Sequence, residues 1–315
     1  MNYNKKTSKI TKNMTNITLP NIDKTVIAAL NFFSKNPPKK LDLKKYKNSI
    51  VVGSGNAYNI ARAIFSTSAI AISNESNFKE TLAAQKQLIK TGFINKSIII
   101  SASGEKDSIW EIKLAKKYGL KTVLLTCNAN SGASLLADKV IVYQKLSEPY
   151  TYNVSTYLGM LLSISGEKAI DIKKYIMGLK LPDFKKYKAY SFILPDKVAS
   201  IAPMLEIKRD ELFGPFVSLR AFSFGEARHA KFVNNSKDEL VISLGENKYF
   251  GLPENRWEIK IPSKIQLGLT MALNYYLIGK IQSTKKPYFK KNIAKYCQEG
   301  PSAYGQTKPF SVIVE

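Results

Sequence analysis

Two hydrophobic rhythms alternate along the chain. Short apolar runs rich in β-branched residues occur at Ser49–Val52, Ile70–Ser73, Ile98–Ser101, Thr122–Thr126, Val140–Tyr143, Ser191–Leu194 and Glu239–Leu244. Such runs mark strands covered on both faces. Between them, helical spacing predicts helices over Thr25–Phe33, Ile60–Ile64, Asn77–Lys90, Trp110–Tyr118, Thr156–Ser163, Ile201–Leu212 and Pro262–Ile278. Asn36-Pro37-Pro38 breaks the first helix and Gly119 caps the fourth. Repeated β-α-β units predict the α/β class, a doubly wound parallel sheet with helices on both faces. Ligands of such sheets bind beyond the carboxyl ends of the strands.

The same pattern predicts how the chain divides. Residues 1–20 are polar and lysine-rich and read as a flexible tail. Residues 21–180 form a first domain, and Leu181 to Tyr190, with Pro182 and several lysines, a linker. Residues 190–315 form a second, weaker copy. That copy lacks a glycine loop before its first helix, and the chain between Leu244 and Pro262 is too short for a full βαβ unit.

Two strand-to-helix junctions carry chemistry. After Ile98-Ile99-Ile100 come Ser101-Ala102-Ser103-Gly104-Glu105-Lys106-Asp107-Ser108. A tight loop there aims backbone N–H groups and the positive end of a helix dipole at one point, which suits a phosphate dianion. Ser101, Ser103 and Ser108 add hydroxyls and Lys106 a charge; an ordinary turn with serine caps would look the same. The second junction is Gly53-Ser54-Gly55-Asn56-Ala57-Tyr58, where glycine lets the backbone turn sharply and approach a ligand. It lacks the further glycine of a dinucleotide fingerprint.

Composition narrows the classes. The net charge of +24 raises the question of nucleic acid, but arginine occurs only at positions 62, 209, 220, 228 and 256. Lysines are scattered, with small clusters at Lys39–Lys45, Lys185–Lys188 and Lys285–Lys291, and no aromatic RNA-binding signature accompanies them. This reads as a solvated surface whose field would favour an anionic substrate. Nucleic acid is not an expected partner. Cys127 and Cys297 make neither a disulfide framework nor a metal spacing, as befits a reducing cytoplasm. No apolar run reaches the ~18 residues of a membrane span, and Met1 to Leu19 lacks the apolar core of a secretory signal.

These segments resemble the tandem sugar isomerase (SIS) domain family, over roughly residues 45–315. The likeness is closest to the isomerase half of glutamine–fructose-6-phosphate transaminase and to stand-alone glucosamine-6-phosphate deaminase. Ser101-Ala102-Ser103-Gly104-Glu105 is similar to that family's Ser-x-Ser-Gly-Glu phosphate loop, and Gly53-Ser54-Gly55-Asn56 to its first sugar loop. Asp138 and Glu148 stand where the family has an aspartate and a following glutamate. Gly225-Glu226-Ala227-Arg228-His229 resembles its Gly-Glu-x-x-His segment, and the last residues resemble its terminus, placing Lys308 at its lysine. The resemblance implies a three-layer, flavodoxin-like fold in two copies and chemistry on a hexose 6-phosphate, in a homodimer that completes its site across the interface. It implies no metal or organic cofactor.

The resemblance also assigns roles. His229, the chain's only histidine, would open the sugar ring. Glu211 would move a proton between C1 and C2, and Lys308 would form a Schiff base with an open-chain ketose. On a helix Lys208 lies one turn before Glu211 on the same face, where it could hold the carboxylate and stabilise oxyanion charge. A solvated i, i+3 ion pair is the plain alternative. Two extra residues separate Glu211 from His229, which makes Glu206 the fallback base. Asn56-Ala57 stands where the family offers Thr-Ser, Lys106 replaces a threonine, and Arg220 replaces a glutamate. No glutaminase nucleophile follows Met1, so ammonia would be free, in isomerising deamination of glucosamine 6-phosphate or its reverse. Plain glucose/mannose-6-phosphate isomerisation and a non-catalytic sugar-phosphate sensor are the alternatives.

Overall fold

Two parallel sheets organise the computed structural model, which describes residues 19–262 and 266–315. The tail expected over residues 1–20 therefore lies, but for its last two positions, outside the described residues. In chain order the strands are β1 (Ser49–Gly53), β2 (Ala71–Ser73), β3 (Lys96–Ile100), β4 (Lys121–Thr126), β5 (Lys139–Val142), β6 (Glu148–Pro149), β7 (Ala189–Leu194), β8 (Ser218–Ser223), β9 (Glu239–Leu244), β10 (Arg256–Ile259) and β11 (Ile313–Val314). The helices used below are α1 (Ile22–Lys35), α2 (Asn56–Phe65), α3 (Asp107–Lys117), α4 (Gly132–Leu136), α5 (Val154–Ser165), α6 (Ala202–Phe213), α7 (Phe224–Ala227), α8 (Leu267–Gln282) and α9 (Tyr288–Glu299).

The first sheet has the order β2-β1-β3-β4-β5 and the second the order β10-β9-β7-β8, all parallel. β1 and β9 are buried at every position, as befits strands covered on both faces. In the first sheet the connection sense reverses between β1 and β3. That is the point where such sheets open a crevice for a ligand, and it is where the two glycine-containing loops emerge. The architecture is the doubly wound α/β fold, in two copies with the second one strand smaller.

One apolar cluster joins the copies. It includes Val51 and Ile98 of the first sheet, Phe192 and Ile242 of the second, and Phe33, Leu161 and Leu277 from the helices α1, α5 and α8 between them. α8 is buried almost all round. A Cβ at Gly279 would lie 2.1 Å from the Asp23 nitrogen, so glycine sets how closely α1 and α8 approach. A polar clasp holds the crossing: Lys280 Nζ is 2.9 Å from Asp23 Oδ2, and Ile22 N–H donates to Gln282 Oε1 at 3.0 Å.

β8 and α9 add to the expected elements, and two further features depart from the sequence expectation. The segment after Leu244 was too short for a βαβ unit, yet β10 pairs in parallel with β9. A loop containing only a short 3-10 turn, Pro253–Asn255, makes the crossover. The Arg256 guanidinium takes over the role of a helix, donating to the carbonyls of Lys248 (2.8 Å), Phe250 (3.1 Å) and Gly251 (2.7 Å). The second is an antiparallel pair, β6 with β11, that ties the last residues of the chain back to the first half. No helix among the described residues is long and apolar enough to cross a membrane.

Candidate active site

The β3–α3 loop is built by its own small residues. Ser101 Oγ accepts the Gly104 N–H (3.1 Å) and Ser103 Oγ accepts the Glu105 N–H (3.3 Å), leaving each hydroxyl hydrogen free to donate elsewhere. Ser108 differs: it is buried and donates to the Glu105 carbonyl at 2.8 Å. The Ala102 carbonyl anchors the loop to β4, accepting the Cys127 N–H (3.0 Å) and the Thr126 hydroxyl (3.2 Å). Gly104 has φ +66°, and a Cβ there would sit 2.0 Å from Ser131 Oγ. The Glu105 carboxylate turns back to accept the Gly132 N–H at the start of α4 (3.0 Å). What faces the crevice is therefore two hydroxyls and the first-turn N–H groups of α3, a set of donors for an anion.

The Gly53–Asn56 loop lies alongside. A Cβ on Gly53 would meet the Ala57 carbonyl carbon at 2.8 Å. Gly55, with φ +56°, caps α2 in a backbone region that only glycine enters freely. Ser54 Oγ donates to Asp107 Oδ2 at 3.2 Å, which pins the two loops together. Asn56 is buried. Behind this seam Glu111 is almost fully buried, and burial, with help from Asp107 and Glu75, pushes its carboxyl up to about 8.

Lys106 departs from expectation in its direction. It caps α3 with φ 58° and ψ −123°, the conformation that Gly55 adopts and a strained one for lysine. Its side chain does not stand free over the loop. Nζ donates to the Tyr150 hydroxyl at 3.2 Å and lies 4.0 Å and 4.2 Å from the ring centroids of Tyr304 and Phe310. This is an aromatic cage for an ammonium. Burial lowers the basicity of the amine. Tyr304 and Phe310 belong to the C-terminal segment, held here by β11 and by the Tyr150 N–H donating to the Val312 carbonyl at 2.8 Å.

The second cluster comes from α6. Lys208 is completely buried, and its Nζ is 2.5 Å from Glu211 Oε2. It also donates to the Thr151 carbonyl and lies 5.6 Å from the Tyr275 ring centroid. Thr151 has φ +70°, an uncommon conformation for a β-branched residue. Burial raises the Glu211 carboxyl above the ordinary range, while Lys208 and the Thr151 hydroxyl draw it back. This pair is not the solvated one that spacing alone would suggest.

Other expected residues are not drawn in. His229 follows α7 and is exposed, and no hydrogen bond or ion pair joins its ring to Glu211, Lys208 or Lys308. Lys308 is also exposed, although Tyr304 and Phe310 on either side of it touch Lys106. Glu206 lines a separate cleft of about 290 Å³ with Arg62, Glu226 and Lys231. Arg220 is occupied by Glu239, at 2.6 Å. Sequence reasoning missed Tyr150, Thr151, Tyr304 and Phe310. The only signal was a lysine- and tyrosine-rich tail. Among the described residues no group of three or more His, Cys, Asp or Glu side chains is placed to hold a metal ion.

No protein-family model matches the chain, and neither does any curated protein. Solved structures do. Glucosamine-6-phosphate deaminase from Thermotoga maritima matches with a TM-score of 0.52 at 12% identity, over 83% of this chain and 94% of that one. The C-terminal domain of glucosamine-fructose-6-phosphate aminotransferase from Francisella tularensis matches with a TM-score of 0.54 at 14% identity, over 84% and 95%. Tagatose-6-phosphate ketose/aldose isomerase from Escherichia coli matches with a TM-score of 0.51 at 13% identity, over 85% and 89%. The likeness is one of fold: the chain has the two-sheet architecture of SIS-domain phosphosugar isomerases.

Proposed function

We propose that this protein binds a hexose 6-phosphate in the crevice of its first sheet and moves a proton between C1 and C2 of the open-chain sugar. One observation carries the reading: Lys106 of the anion loop and the Lys208–Glu211 pair are bound by adjacent residues, Tyr150 and Thr151. Ser101, Ser103 and the N-terminus of α3 hold the phosphate. Glu211, its carboxyl raised by burial, takes the proton from C2 and returns it to C1, while Lys208 steadies the negative charge that develops.

With glucosamine 6-phosphate the shift yields a C2 imine, which water converts to fructose 6-phosphate with release of ammonia. Lys308 engages the ketose carbonyl from the C-terminal segment. His229, exposed just after α7, serves the site of a second copy in a cytoplasmic homodimer by opening the ring. The test incubates purified protein with glucosamine 6-phosphate and measures ammonia and fructose 6-phosphate. Glu211→Gln should lose about 10²- to 10⁴-fold in rate. Interconversion of hexose phosphates with no ammonia would instead identify a plain aldose–ketose isomerase. A sensor is the second reading, favoured by the exposure of His229 and Lys308. Fructose 6-phosphate that binds but exchanges no carbon-bound hydrogen with D₂O would select it and overturn the enzyme.

A further inference from the structure

We propose that Tyr150 is a substrate-positioning residue whose hydroxyl passes from Lys106 to the sugar's mid-chain hydroxyls when a phosphate enters the anion loop. The inference rests on the phosphosugar reading and adds to it the residue that would read the carbon chain.

Tyr150 stands between the two ends of the proposed chemistry. On one side its hydroxyl accepts Lys106 Nζ at 3.2 Å. On the other, the next residue, Thr151, offers its carbonyl to Lys208, the partner of Glu211. The Glu211 carboxylate is near enough to help burial raise the Tyr150 phenol. The ring cannot drift. It stacks on Phe310, with centroids 5.0 Å apart and planes 14° from parallel, and lies 6.0 Å from Tyr296. Its backbone N–H is bonded to the Val312 carbonyl.

Lys106 is less constrained: among the described residues its one hydrogen bond goes to a neutral phenol, its close neighbours are aromatic faces, and Asp107 acts on it through its charge without an ion pair. A phosphate dianion in the loop would outcompete them, because it meets the ammonium with full opposite charge whereas the phenol offers only a dipole and the rings only a quadrupole. The ammonium then turns to the phosphate, and the hydroxyl is left free in a fixed position between phosphate and base. In an extended hexose 6-phosphate the groups at that place are the C3 and C4 hydroxyls.

The experiment compares inorganic phosphate with fructose 6-phosphate by calorimetric titration into wild type, Tyr150→Phe and Lys106→Met. Tyr150→Phe should bind phosphate within about twofold of wild type but fructose 6-phosphate about tenfold more weakly, the contribution of one hydrogen bond. Lys106→Met should weaken both ligands. A Tyr150→Phe protein that loses both affinities alike, or neither, overturns the assignment. Because phenylalanine keeps the stack on Phe310, its melting temperature should stay close to wild type, so a loss of fold would be visible separately. Wild type that binds phosphate but no hexose 6-phosphate would refute the phosphosugar reading itself.

Discussion

Replacing Lys208 with methionine tests the internal electrostatics of the candidate site without reference to any ligand. The ammonium is 0% exposed and 2.5 Å from Glu211 Oε2, and methionine fills a similar volume without the charge. Removing one member of a buried pair typically costs about 3–5 kcal/mol, because the other is left uncompensated. The Glu211 side chain keeps 23% exposure, so water recovers part of this, and the loss should be about 3 kcal/mol at pH 8. The pH dependence follows from the sign of the shift. The Glu211 carboxyl already lies above its ordinary value of 4.5 through burial, and Lys208 is the main group pulling it down. Without Lys208 it rises further. An acid raised in the folded state stabilises fully below its unfolded value and loses that contribution as pH climbs through the folded value. The deficit of Lys208→Met should therefore be small, about 1 kcal/mol, at pH 4.5 and largest near pH 8. Adding Glu211→Gln should restore most of the loss. Urea unfolding followed by circular dichroism at the two pH values gives all four corners of the cycle. An equal deficit at both pH values, or a double variant no more stable than the single one, would refute the reasoning.

Two further outcomes follow. Gly104→Ala must place a Cβ 2.0 Å from Ser131 Oγ at a positive φ, so it should lose about 2 kcal/mol or more on denaturation and weaken phosphate binding in the same titration. Glu111→Gln should match wild type near pH 5 and be more stable by roughly 3 kcal/mol near pH 8 to 9. The buried wild-type carboxyl, raised to about 8, loses stability through that window and the amide does not; melting curves across pH check it.

Chemistry confined to one element could be read from the sequence. Ile98-Ile99-Ile100 reads as a buried strand because both faces are covered, and a break into serine and glycine can only be a turn. Lys208 and Glu211 meet because helical spacing puts them on one face. Their burial could not be read, since it depends on Thr151 and Tyr275 arriving from distant segments. β10 was hidden because Arg256-Trp257-Glu258-Ile259 is a half-exposed edge, and the guanidinium that organises its crossover leaves no periodic trace. The β6–β11 pair is two residues on each side, below what any pattern can signal. Lys106 was placed in the right loop, but its direction is set by aromatic side chains on other segments, so its charge suggested an open anion site where the structure has a cage.

The return of the C-terminal segment also orders assembly in time. Lys145 and the Val314 carbonyl it bonds are 169 residues apart in sequence, among the longest-range contacts of the chain. During synthesis the first sheet and its anion loop can form before the second sheet is made, because their pairings are comparatively local. Tyr304 and Phe310 follow Lys106 by about 200 residues. Until they are made, Lys106 has Tyr150 but neither of the two later rings, and a nascent chain presents a more open ammonium at the loop than the guarded one in the folded structure.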